Sequence, residues 1–189
     1  MLTATYSLVA IRAEQDKADR LLSRLRQYIE TAWHGLQGLD LGFLESAFGN
    51  MLNFDDFFRR RKVERYLIPV LRRVTREADA LLEELDALAA RSSALLRAIG
   101  SCLRSSFESP GAAAHEICRS MEQYCECVRT RIHIEDAELL PLARRVLSIE
   151  EWFSVAAEFL SADGGAGQAR HSGAGRRRAG GTLGRAGAH

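Results

Sequence analysis

The stretch Tyr124–Phe153, YCECVRTRIHIEDAELLPLARRVLSIEEWF, constrains this chain more than any other. It opens as an amphipathic helix and passes a carboxylate cluster at Glu135, Asp136 and Glu138. It then reaches a leucine-rich stop in which Leu139, Leu140 and Leu142 flank Pro141. Ser148 stands three residues before Glu151. That spacing is a capping box, in which the Ser hydroxyl and the Glu carboxylate satisfy free N–H groups at a helix start. A helix bearing inward carboxylates beside such a stop needs partner helices to bury its other face.

The rest of the chain supplies them. Leu8, Ile11, Ala18, Leu21, Leu22, Leu25 and Ile29 recur at helical spacing and predict a first helix from a Thr3 or Thr5 cap to about Trp33. A turn at residues 34–38 follows. A second helix is expected from about Asp40, with Leu44, Phe48, Met51, Phe54 and Phe58 on its apolar face. Arg59-Arg60-Arg61-Lys62 interrupts it, and Pro69 should bend or end it, because its ring removes a donor and clashes with the preceding turn. Leu81, Leu82, Leu85, Leu88, Leu95, Leu96 and Ile99 predict a third helix over residues 75–103, broken from Gly100 onward. A fourth runs from about Ala112 to Val146, with Ile117, Met121, Tyr124, Val128, Glu135, Leu139 and Leu142 roughly on one face. A short fifth, Ile149–Leu160, carries Trp152, Phe153, Val155 and Phe159 as a lid. No internal repeat at a fixed period is evident.

The fold expected is therefore all-α: an up-down-up-down four-helix bundle over residues 1–160 with a short C-terminal fifth helix. Residues 161–189 form a Gly/Ala/Arg-rich tail with five Arg and one Asp, expected to be disordered because it has too little apolar content to order itself. The formal net charge of +1 gives no reason to expect a nucleic-acid partner. No apolar run reaches the roughly 18 residues of a membrane span. With no export signal evident at the N-terminus, a cytoplasmic location is expected, where Cys102, Cys118, Cys125 and Cys127 stay reduced.

Four segments resemble the hemerythrin-like (HHE cation-binding) domains of bacteria. IRAEQ at Ile11–Gln15 is similar to the family's I-R-x-E-H, and RRRKVERYLIPVL at Arg59–Leu71 to its H-H-P-K-E-x-x-x-L-F-P-x-L. LDALAARSS at Leu85–Ser93 is similar to L-x-x-D-H-x-x-G, and RIHIEDAELLPLARRVLSIEEW at Arg131–Trp152 to H-x-x-x-E-E-x-x-L-L-P-L-A-x-x-x-L-T-x-x-D-W. The resemblance implies a hemerythrin-like bundle that, in the family, encloses two iron ions held by imidazoles and carboxylates. The ligand positions fall on Gln15, Arg59, Val63, Ala89, Arg131 and Glu135, and the second His of the H-H pair falls on Arg60.

Of these only Glu135 keeps its ligand chemistry. Arg donates and stays protonated, Val and Ala offer no lone pair, and Gln is a poor neutral ligand. His133 should face outward, and Cys125 and Cys127 read better as small buried residues than as ligands. Asp136 and Glu138 read as a solvated face. The expectation is a degenerate di-iron site without metal, in which Arg59 and Arg131 replace the cations and pair with Glu135 as a buried cluster. The chain would then be non-enzymatic, an interaction or regulatory module for a protein partner or small ligand. The alternative is a non-heme di-iron protein that binds iron and senses or carries O2, NO or a redox signal.

Overall fold

The structure, a computed structural model, describes residues 2–34, 41–105 and 110–174, with the side chains of residues 2–30, 42–105 and 114–162. Every regular element among the described residues is helical. In chain order these are α1 (Leu2–His34), α2 (Leu41–Arg59), a π turn (Val63–Leu67) running into α3 (Ile68–Val74), α4 (Asp79–Ser105), α5 (Pro110–Ile134), a second π turn (Glu135–Leu139) running into α6 (Leu140–Val146), and α7 (Ile149–Ala174). None is long and apolar enough to cross a membrane.

The helices pack as a bundle. Each buries the stripe its sequence prescribes: Ile11, Ala18, Leu22, Leu25 and Ile29 from α1; Leu44, Met51, Phe54 and Phe58 from α2; Leu82, Leu85, Leu96, Ile99 and Leu103 from α4; Ile117, Met121, Tyr124 and Val128 from α5. Spacings of three, four and seven residues keep these side chains on one side of a 3.6-residue helix. α1 packs on α2, α5 and α7, α2 on α4 and α5, and α4 on α5 most extensively. The Ser148–Glu151 capping box forms as expected: Ser148 N–H donates to Glu151 Oε2 at 2.7 Å, and Glu151 N–H donates to Ser148 Oγ at 3.3 Å.

Several element boundaries depart from expectation. α1 already runs from Leu2, so Thr3 and Thr5 lie inside it and not at its cap. Gly100 does not break α4, which continues to Ser105. A Cβ at Gly100 would sit 3.0 Å from the Phe48 ring, so glycine lets α2 and α4 approach closely there. α7 does not end at Leu160 but extends to Ala174. Of the tail at residues 161–189 expected to be disordered, residues 161–174 belong to α7, while residues 175–189 and the turn at residues 35–38 lie outside the described residues. Phe153, expected in the lid, points to solvent, while Trp152, Val155 and Phe159 are buried.

The two prolines expected to bend or stop their helices do neither alone. Each sits near the start of a helix that follows a π turn, Pro69 in α3 and Pro141 in α6. A proline lacks an N–H and crowds the carbonyl four residues back. One widened turn absorbs this, with Ile68 N–H reaching Val63 O and Leu140 N–H reaching Glu135 O. The two segments, VERYLIPVLRRV and EDAELLPLARRV, match position by position. Val63, Leu67, Ile68 and Leu71 are buried in one, and Glu135, Leu139, Leu140 and Ala143 in the other. Each ends at an extended residue, Thr75 or Leu147, whose N–H closes on Leu71 O or Ala143 O at 3.1 Å. The chain thus contains a repeated structural unit, marked in sequence by the shared L-x-P-x-x-R-R-V.

Candidate functional site

The core is two apolar clusters. One gathers Ala18 to Ile29 of α1 with α2, the second half of α4 and most of α5. The other gathers Ile11 with both π-turn units, the first half of α4 and α7. Where each helix passes from one cluster to the other it carries a polar residue: Gln15 between Ile11 and Ala18, Arg61 between Phe58 and Val63, Ser92 between Leu85 and Leu96, Arg131 and Glu135 between Val128 and Leu139. A polar layer therefore crosses the bundle between two apolar halves. It is the candidate site.

Arg61 and Glu135 are its centre, with both side chains at 0% exposure. The guanidinium meets the carboxylate fork to fork, Nη1 to Oε2 and Nη2 to Oε1, each at 2.9 Å. Such bidentate, charge-assisted pairs are the strongest ordinary side-chain hydrogen bonds. Arg61 Nε donates to Phe58 O at 3.1 Å, and the guanidinium lies 3.6 Å from the Phe58 ring centroid. That stacking covers one face of a cation that has left water entirely.

Arg131 and Glu64 complete the layer. Arg131 Nη2 reaches Glu64 Oε1 at 2.6 Å, and Arg61 Nη2 is 3.4 Å from the same oxygen. Arg131 Nε lies 3.4 Å from Glu135 Oε1, within ion-pair range, without forming a hydrogen bond. Two cations and two carboxylates thus balance. Burial holds the Glu64 carboxyl above the usual range; the Arg131 charge opposes this, Glu135 adds to it, and Arg61 opposes it. Gln15 is buried at 3% exposure, and neither its amide oxygen nor its amide nitrogen has a hydrogen-bond partner.

The expected cluster is corrected at one position. Arg59 does not enter the layer. Its side chain is 55% exposed, and it bonds Asp55 at 2.6 Å and Ser93 Oγ at 2.8 Å. Arg61, two residues on, takes the inward place. The reason is the helix period: Arg59 follows the buried Phe58 by one residue, about 100° round α2, whereas Arg61 follows Phe58 by three and Phe54 by seven, which keeps it on the buried side. α2 itself ends at Arg59, with a break at residues 60–62 before the π turn. Glu14 holds that break from α1, accepting Lys62 N–H at 2.5 Å and lying 3.2 Å from Lys62 Nζ. Arg60 stays outside, paired with Asp56 at 2.7 Å. Arg131 and Glu135 are both buried in the layer.

The other sequence candidates fall out as follows. Val63 is buried in the second cluster and Ala89 is half-buried, its carbonyl accepting from Ser92 and Ser93 hydroxyls. His133, Asp136 and Glu138 are exposed, as read from the helix period. Cys118, Cys125 and Cys127 are buried and Cys102 half-buried, and none of the four is in a disulfide. Burial pushes Cys125 up to about 12, which removes it from thiolate chemistry at neutral pH. Glu64 and Arg61 were not singled out by sequence as site residues. Asp55 was missed too: it accepts from the buried Tyr124 hydroxyl at 3.2 Å while pairing with Arg59, joining α2 to α5.

The donor chemistry of the layer does not suit a pair of iron ions. Arginine nitrogens, two apolar side chains and an amide stand at five of the six positions where the resemblance implies ligands. Among the described residues no three His, Cys, Asp or Glu side chains gather as a metal site. Glu135, the one residue that keeps ligand chemistry, is already engaged through both oxygens by Arg61. No known protein-family model, curated protein or solved structure matches the chain.

Proposed function

We propose that this chain is a divergent hemerythrin-like domain, an up-down-up-down bundle of α1, α2–α3, α4 and α5–α6, whose metal layer has been replaced by a buried arginine–carboxylate cluster. On this reading it works without metal, as an interaction or regulatory module rather than an enzyme. The carrying observation is the polar layer itself. A bundle of this size can fill its core with apolar side chains, yet α1, the break after α2, α4, and α5 with its π turn each spend a buried position on a polar side chain between the two apolar clusters. Isolated charges would cost several kcal/mol each in such a place, and Arg61 and Glu135 offset that chiefly by pairing with each other. The packing of α1 on α2 and α5, and of α4 on α2 and α5, supports the bundle order.

Metal analysis of protein purified from iron-supplemented cells tests the reading. Iron well below one atom per chain, and no oxygen-dependent visible absorption, are expected. About two iron atoms per chain, with that absorption, would instead establish a di-iron protein that senses or carries O2, NO or a redox signal.

A further inference from the structure

Lys17, Leu21, Arg24 and Tyr28 are spaced four, three and four residues apart and so follow one edge of α1. Asn50, Asn53 and Phe57, three and four apart, follow one edge of α2 in the same way. The two helices pack together, and a groove of about 400 Å³ runs between these edges, with Leu25 and Phe54 in its lining. Its aromatic walls are held in place. Tyr28 stacks on Phe43 with ring centroids 4.5 Å apart, Phe57 lies 6.4 Å from Phe54, and the Lys17 ammonium sits 4.6 Å from the Phe57 ring centroid.

The polar groups of the lining select the chemistry of a ligand. Arg24 brings a positive charge to the groove, and no carboxylate accompanies it there among the described residues. Arg24, Asn50 and Asn53 are exposed, and none of their side chains has a hydrogen bond or ion pair among the described residues. The carboxylates next along α2, Asp55 and Asp56, are engaged by Arg59 and Arg60. The groove between α1 and α5 differs: Glu30, Glu122 and Glu126 line it, and its Arg26 is paired with Glu30. A free guanidinium and two free carboxamides beside three aromatic rings match a flat ring that carries a negative charge. The ring finds apolar and aromatic surface, and the anion finds a charge-assisted donor.

We propose that the groove between α1 and α2 binds a small planar aromatic carboxylate. Its ring packs against Phe54, Phe57 and Tyr28, and its carboxylate meets the Arg24 guanidinium, with the Asn50 and Asn53 amide N–H groups as further donors. The volume falls within the roughly 300–1,000 Å³ of small-molecule sites. The proposal is independent of the metal-free reading, because none of these residues belongs to the polar layer.

Titration of the full chain with 2-naphthoate, followed by calorimetry and by the ligand's fluorescence, tests it. Saturable binding with a dissociation constant below about 1 mM is expected. The neutral 2-naphthamide, which keeps the ring, and cyclohexanecarboxylate, which keeps the charge, should each bind about tenfold more weakly or worse. Arg24→Ala and Asn53→Asp, both surface changes that should leave helical circular dichroism intact, should each weaken 2-naphthoate about tenfold. Arg26→Ala, on the α5 side of the same helix, should leave binding unchanged. The proposal is overturned by an absence of saturable binding below about 1 mM, by 2-naphthamide or cyclohexanecarboxylate binding as tightly as 2-naphthoate, by undiminished binding in folded Arg24→Ala or Asn53→Asp protein, or by an equal loss in Arg26→Ala.

Discussion

Val63–Val74 and Glu135–Val146 have the same backbone and opposite chemistry at their entrance. Both begin with a π turn, carry a proline two residues after it, bury the same four positions and expose two arginines before an extended residue. From their first residue onward they are one unit used twice. Before that residue they part. α5 runs unbroken into its π turn, so Arg131 stands one turn before Glu135 and faces inward with it. α2 stops at Arg59, which already faces out by the period of α2, and among the three residues that follow it is Arg61 that faces in. The scaffold is set by leucines and proline, and the charge by whatever precedes them. The buried cation Arg61 stands two residues before the first unit, the buried carboxylate Glu135 is the first residue of the second, and the two meet as a bidentate pair.

That difference can be broken at its centre. Glu135→Ala strands Arg61 in the core and should cost about 3–5 kcal/mol, as should Arg61→Ala in reverse. Chemical denaturation read by circular dichroism measures both. Val63→Glu, which gives the first unit the second unit's entrance, should cost a similar amount, about 3–5 kcal/mol, because Arg61 is already committed. Replacing the pair together, Arg61→Met with Glu135→Leu, should be neutral or stabilise by about 1–4 kcal/mol, since the two fully buried charges are gone and Arg131 keeps Glu64 as its partner.

Smaller effects sharpen the boundary of the layer. Gln15→Leu should stabilise by about 1–2 kcal/mol, because a buried amide with no partner is removed. Arg59→Ala should change stability by less than about 1 kcal/mol, as for other exposed ion pairs. A loss comparable to that of Arg61→Ala would place Arg59 in the layer after all. Glu64 gives the gentlest signal. Its carboxyl is raised in the folded chain, so the folded state holds the proton more tightly than the unfolded one. Stability should therefore fall as pH rises from the ordinary carboxylate range through the raised value. Glu64→Gln should flatten that part of the pH–stability curve, and an unchanged curve would contradict the assignment.

Much of this was legible in the sequence, because helical periodicity and a capping box are local signals. The stripes of α1, α2, α4 and α5 follow from three-, four- and seven-residue spacing, and Ser148 and Glu151 cap α7 as their spacing says. The prolines were harder. Read alone, Pro69 and Pro141 end helices. Only the shared L-x-P-x-x-R-R-V suggests that both are absorbed in the same way. Arg61 was passed over because the resemblance put the ligand position on Arg59. Yet Arg61 stands three residues after Phe58 and seven after Phe54, on the continuation of the buried stripe of α2, whereas Arg59 follows Phe58 by one. What the sequence did not show is the break at residues 60–62. The break there depends on Glu14, a residue 48 positions away that receives the Lys62 N–H. Asp55 was hidden for the same reason, since its partner Tyr124 comes from α5, 69 positions on. The outward face of α7 was visible as Phe153, but periodicity alone assigned it to the core.

The central claim is that Arg61 and Glu135 hold the layer as a pair. A double-mutant cycle on Arg61→Met and Glu135→Leu measures it directly by equilibrium unfolding. Each single variant should lose about 3–5 kcal/mol, while the double variant recovers most or all of that loss. Single losses that simply add in the double variant would mean the two residues do not depend on each other, and would contradict the account.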